Sequence, residues 1–143
     1  MTGVDTNILV YAHRPDSPWH EKAQASIRDL AESEAPWAMA WPSVHEFLAI
    51  VTNARIFRLP TPLDRALLQV EMWMESPSLR VIGEASGYWQ ELKTSLVAGK
   101  VTGGMVHDAR IAVICRQHGV RTLWSADRDL TRFGGLRVVN PLV

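Results

Sequence analysis

The chain has 143 residues, 15 acids against 15 bases, and is 47% apolar and 21% charged. That is the composition of an ordinary globular domain; it argues against wholesale disorder and points to a single domain over residues 1–143. Its longest apolar runs are far too short to span a bilayer. A lone cysteine, Cys115, excludes an internal disulfide and a multi-cysteine zinc site. No basic leader precedes the first apolar run, so a secretory signal is not expected and the expected location is the cytoplasm.

Met1–Asp5 predicts a short opening strand, turning at Asp5-Thr6-Asn7 into a brief apolar helix that ends near Ala12. Ser17-Pro18 offers an N-cap with proline at the first helical position, predicting a helix to about Ser33. Trp37–Trp41, between Pro36 and Pro42, suits a buried strand. Ser43 is then expected to cap a helix carrying Val44, Phe47, Leu48 and Val51 along one face. Thr61-Pro62 repeats the cap-and-proline signal ahead of Leu63, Leu67, Val70 and Met74 at helical spacing. A strand at Leu79–Ile82 and an amphipathic helix from about Ser86 to Ala98 follow. After breaks at Gly99 and Gly103-Gly104, Met105–His118 is apolar on most sides and so is expected to be a central helix. Arg121–Trp124 and Leu136–Val139 complete the strands. Strands alternating with helices predict an α/β class with a mostly parallel sheet covered on both faces.

Charge is spread unevenly. Residues 1–98 carry 8 bases and 12 acids, residues 99–143 carry 7 bases and 3 acids, and 12 of the 15 bases are Arg. Arginine suits bidentate phosphate contacts, although a neutral sum is unusual for a chain that binds nucleic acid by charge alone. A solvated surface is the ordinary use of such asymmetry.

Parallel sheets place their sites outside the carboxyl ends of the strands. Asp5 ends the first strand, Glu46 lies in the first turn after the second, and Asp127 lies just past Arg121–Trp124. Asp108 opens the central helix, and its place on the same edge is an expectation that strand order does not supply. Each acid has a plainer use. Asp5 suits an Asx turn with Asn7, Glu46 a capping box with Ser43, Asp108 the helix macrodipole, and Asp127 a turn. Taken together, four acids on one rim repel one another. A divalent cation relieves that repulsion, and carboxylate oxygens favour Mg²⁺ or Mn²⁺.

Four segments carry a resemblance: Val4-Asp5-Thr6-Asn7-Ile8-Leu9-Val10-Tyr11-Ala12, Ser43-Val44-His45-Glu46-Phe47, His107-Asp108-Ala109-Arg110-Ile111-Ala112, and Leu123-Trp124-Ser125-Ala126-Asp127-Arg128-Asp129-Leu130. In this order they resemble the PIN-domain pattern, and more narrowly the VapC-type toxins of toxin–antitoxin modules. The resemblance implies a three-layer α/β/α domain and a Mg²⁺- or Mn²⁺-dependent endoribonuclease. It implies Asp5, Glu46, Asp108 and Asp127 as catalytic, metal-binding carboxylates, Asn7 and Ser125 as supports, and an RNA substrate. It also implies a homodimer neutralised by a VapB-type antitoxin. Ser125 stands where the family usually has Thr, and Leu130 where it usually has an aromatic. Asp129, two residues past Asp127 in a polar turn, is expected to be an accessory ligand.

His45 and His107 flank site acids but are expected on the surface or in packing, Cys115 and most of the six Trp in the core, with Trp19 beside an exposed stretch. Arg110, Arg128 and Arg132 are candidates for substrate phosphates. A phosphotransfer site using Asp5 as nucleophile needs a second Asp where Asn7 stands, and loses on that ground. The remaining alternative is a non-catalytic RNA- or partner-binding module on the same fold.

Overall fold

The alternating apolar runs and helical periodicities resolve, in a computed structural model that describes residues 1–143, into five strands and six α-helices. In chain order these are β1 (Thr2–Val4), α1 (Thr6–His13), α2 (His20–Glu32), β2 (Trp37–Ala40), α3 (Trp41–Val51), α4 (Leu63–Met74), β3 (Leu79–Ile82), α5 (Tyr88–Ala98), α6 (Met105–Gln117), β4 (Thr122–Trp124) and β5 (Arg137–Val139), with a 3-10 helix at Arg128–Arg132. The strands form one sheet in the order β3-β2-β1-β4-β5, and every pairing is parallel.

The strand order explains where a site forms. The chain builds outward from β1 to β2 and β3, then crosses back to lay β4 on the other side of β1. The direction of winding therefore reverses between β1 and β4, and a crevice opens beyond their carboxyl ends. Thr2, Gly3 and Val4 pair with Thr122, Leu123 and Trp124, so the residues that follow each strand, Asp5 and Ser125, emerge side by side.

Each face of the sheet has its own core. On one face Val4, Trp37 and Met39 pack with Ile8, Leu9, Ile27, Phe47, Val70 and Trp73 of α1 to α4. On the other, Ala38, Ala40, Ile82 and Leu123 meet Ala109, Ile111, Ala112, Ile114 and Cys115 of α6. On that side α6, of which Ile111 to Cys115 are buried, packs over the small Ala38 and Ala40. No helix is long and apolar enough to cross a membrane.

Several local expectations give way. Ser17 does not cap α2, which starts at His20; its hydroxyl instead accepts from the Trp19 N–H at 3.1 Å. Trp41 is not the end of β2 but the first residue of α3, with Ala40 as N-cap and Pro42 near the helix start, where proline has no hydrogen bond to lose. Ser43 consequently lies inside the helix, its hydroxyl buried and without a partner. Thr61 does not cap α4 either. Its hydroxyl is bonded to His13 at 3.0 Å and to the buried Arg14 at 3.2 Å. On α4 the inward residues are Ala66, Val70 and Trp73, while Leu63 and Leu67 face out. Three of the six tryptophans, Trp19, Trp41 and Trp89, are exposed rather than in the core.

Candidate metal centre

Asp5 is buried at the exit of β1, its N–H bonded to the Trp124 carbonyl at 2.9 Å. Its carboxylate accepts the Thr6 N–H at 2.9 Å and the Ser125 hydroxyl at 2.7 Å. The Asx turn with Asn7 does not form. Asn7 reaches across to the β4 exit, donating from Nδ2 to Ser125 Oγ at 3.1 Å and accepting the Ala126 N–H at 3.0 Å. Ser125 Oγ also accepts the Asp127 N–H at 3.0 Å. One donor and two acceptor positions exhaust a hydroxyl. Ser125 thus locks Asp5, Asn7 and the Asp127 backbone into one arrangement.

The expected capping box at Glu46 is also absent, because α3 begins before Ser43. Glu46 Oε2 accepts instead from the Thr6 hydroxyl at 3.0 Å. Thr6 is a site residue that motif reading passed over: it lies inside the opening segment, but its partner is 40 positions away, and nothing linear connects them.

Asp108 stands in the first turn of α6. With Asp5 and Glu46 it lines a cavity of about 440 Å³ between the starts of α3 and α6. His45 and His107 line the same cavity. They are exposed, as expected, yet the two helix starts face each other and their outer sides become its walls. Arg110 lines it too, tied to Glu84 at 2.9 Å. Arg128 and Arg132 are exposed and carry no ion pair.

A second grouping shares Asp108. Carboxylate oxygens of Asp108, Asp127 and Asp129 lie within 4.8 Å of one another. Asp127 is the N-cap of the 3-10 helix, accepting the Asp129 N–H at 2.8 Å, and this turn brings both acids to one side. Asp108 is therefore the common member of an inner trio with Asp5 and Glu46 and an outer trio with Asp127 and Asp129.

Electrostatics record the crowding. Burial pushes the Asp108 carboxyl up to about 6, reinforced by the charges of Asp127, Asp5, Asp129 and Glu46. Burial also raises Asp5, against the lowering effect of its Ser125 and Thr6 hydrogen bonds, and Glu46 and Asp127 raise it further. No lysine or arginine forms an ion pair with any of the five acids. A set of carboxylate oxygens held together without a protein cation, and with no thiol among them, fits a hard divalent ion.

The sequence profile of the PIN domain matches residues 4–136. The chain is 31% identical over 137 residues to ribonuclease VapC48 of Mycobacterium tuberculosis, covering 96% of this chain and 94% of that protein. Its fold is similar to that of VapBC2 from Rickettsia felis, solved bound to a promoter DNA fragment, with a TM-score of 0.68, 19% identity and 97% of each chain covered. It is similar also to Mycobacterium tuberculosis VapC20, a Sarcin-Ricin loop cleaving toxin, with a TM-score of 0.68, 17% identity, and coverage of 96% of this chain and 99% of that one.

Proposed function

This chain belongs to the PIN-domain family, and from that membership we propose that it is an endoribonuclease toxin of the VapC type, dependent on Mg²⁺ or Mn²⁺ and neutralised by a VapB-type antitoxin. The observation that carries the reading is the convergence of Asp5, Glu46, Asp108, Asp127 and Asp129 on one crevice with no lysine or arginine ion-paired to any of them. Curated relatives named ribonucleases supply the reaction class.

In this reading Asp5, Glu46, Asp108 and Asp127 hold the metal and Asp129 assists. When bound, the ion supplies Lewis acidity for hydrolysis of a phosphodiester. The protein's own residues do the positioning. Ser125 and Asn7 fix Asp5 and the Asp127 loop, Thr6 orients Glu46, and Asp127 sets the turn that aims Asp129. Without a counter-ion the crevice repels a phosphate, so RNA and metal are expected to bind together.

The protein is expected to form a homodimer and to be neutralised when its antitoxin binds. The outer side of α4, where Leu63, Leu67, Leu68 and Met72 are exposed, offers an apolar surface for such contacts.

The test is cleavage of single-stranded RNA by purified protein with Mg²⁺ or Mn²⁺ against EDTA, beside Asp5→Asn. Metal-dependent cleavage lost in Asp5→Asn supports the reading. Intact RNA under every condition returns the protein to a non-catalytic binding module.

A further inference from the structure

An aromatic pair adjoins the acid-lined cavity. Trp41 and His45, four residues apart on one side of α3, stack with ring centroids 6.2 Å apart and planes inclined by 27°. His45 lines the cavity beside Glu46 and Asp108, and its stacking partner Trp41 is 43% exposed while Trp37, four residues earlier, is fully buried. The core therefore does not account for the Trp41 indole. Gly83 accommodates it: a methyl at that glycine would lie 3.3 Å from the indole Cδ1. Next to Gly83, Glu84 holds the Arg110 guanidinium through Nε at 3.1 Å and Nη2 at 2.9 Å.

We propose that the Trp41–His45 pair is a nucleobase subsite, on which the base of a nucleotide flanking the scissile phosphate stacks. The inference rests on the ribonuclease reading of the adjoining cavity. Proteins read single-stranded RNA by stacking unpaired bases on aromatic rings, and such stacks tolerate any base because each has a π-face. A base engaged in a duplex keeps both faces covered by its neighbours, so this surface selects an unpaired nucleotide. The acids of the cavity offer the RNA backbone no attraction of their own, and the Arg110 guanidinium among them is engaged by Glu84. An aromatic contact at its rim therefore gives orientation that charge cannot.

The test is steady-state cleavage of a short single-stranded RNA and of a series in which an abasic ribose replaces one nucleotide at a time. Wild type is compared with Trp41→Leu, Trp41→Tyr and His45→Ala. For wild type, one abasic position beside the cut should lower kcat/KM about tenfold, as expected for the loss of one stack. Trp41→Leu keeps apolar bulk against Gly83 without the π-face. It should lose about the same factor on intact RNA and be indifferent to that abasic position. Trp41→Tyr should retain most of the activity and of the sensitivity, and His45→Ala should weaken both without changing Trp41. Equal cleavage of every abasic substrate by wild type, or undiminished sensitivity in Trp41→Leu and His45→Ala, overturns the subsite and leaves the nuclease standing. No cleavage by wild type overturns the nuclease reading and the subsite with it.

Discussion

The hydroxyl of Ser125 donates to Oδ2 of Asp5 at 2.7 Å, joining two residues 120 positions apart. The same oxygen accepts from Asn7 and from the Asp127 N–H, so it cannot be removed without stranding three partners. Ser125→Ala is expected to cost about 1–3 kcal/mol in denaturant unfolding and to lower cleavage at least tenfold. Ser125→Thr, which keeps the hydroxyl, should restore both. Full activity in the alanine variant would show that Asp5 does not depend on this support.

Glu46 separates structure from chemistry cleanly. It caps nothing, and its one protein bond is accepted from Thr6, a bond the carbonyl of Gln can also accept. Glu46→Gln should therefore melt within about a degree or two of wild type, as surface changes away from special features usually do, while cleavage falls by orders of magnitude. Retained cleavage would remove Glu46 from the metal set.

Asp108 gives a pH dependence of definite sign. Its folded carboxyl sits at about 6, above the ordinary 3.8, so the folded state keeps this proton longer than the unfolded chain. Its contribution to stability is present below about pH 4 and is lost as pH rises through about 6. In EDTA, Asp108→Asn should be more stable than wild type at neutral pH, and the gap should close as pH falls through that window. Adding Mn²⁺ should raise the melting temperature of wild type and much less that of the variant. Melts at several pH values check this; a gap independent of pH would contradict it.

Asp127 and Asp129 are predicted to differ in rank. Asn at position 127 can still cap the 3-10 helix through its side-chain oxygen, so Asp127→Asn should keep the fold and lose nearly all cleavage. Asp129 is exposed, and Asp129→Asn should cleave more weakly and need more metal. Parallel metal titrations decide the order, which is reversed if Asp129→Asn is the inactive variant.

Much of this was legible in the chain, and the misses share a cause. Leu79–Ile82 was legible from the apolar residues on either side of Arg80, and the central character of Met105–Gln117 from the run Ile111–Cys115, which is buried throughout. Ser17, Ser43 and Thr61 each precede or follow proline as a cap should, yet none caps its helix. Pro42 shows why: proline near a helix start tells that a helix begins without telling at which residue. The N-cap at Ala40, three residues before Ser43, placed Trp41 outside the sheet, dissolved the capping box and left Glu46 for Thr6. Asp5, Glu46 and Asp127 could be set on one edge from strand order, but Asp108 could not, because its helix follows another helix. The roles of Thr6 and of the histidines depend on two helix starts facing each other, a relation between segments that no local pattern contains.

The crossing from β3 back to β4 has a consequence in time as well as space. Asp5 is synthesised well before Ser125, Asp127 and Asp129, the first of which lies 120 positions later. The pairing of β1 with β4 that brings them together cannot form until most of the chain exists. A polypeptide that stops anywhere before Ser125 lacks the hydroxyl that holds Asp5 and half of the acids around Asp108. Such fragments are blank with respect to the site, which becomes competent only once the chain through Asp129 has been made.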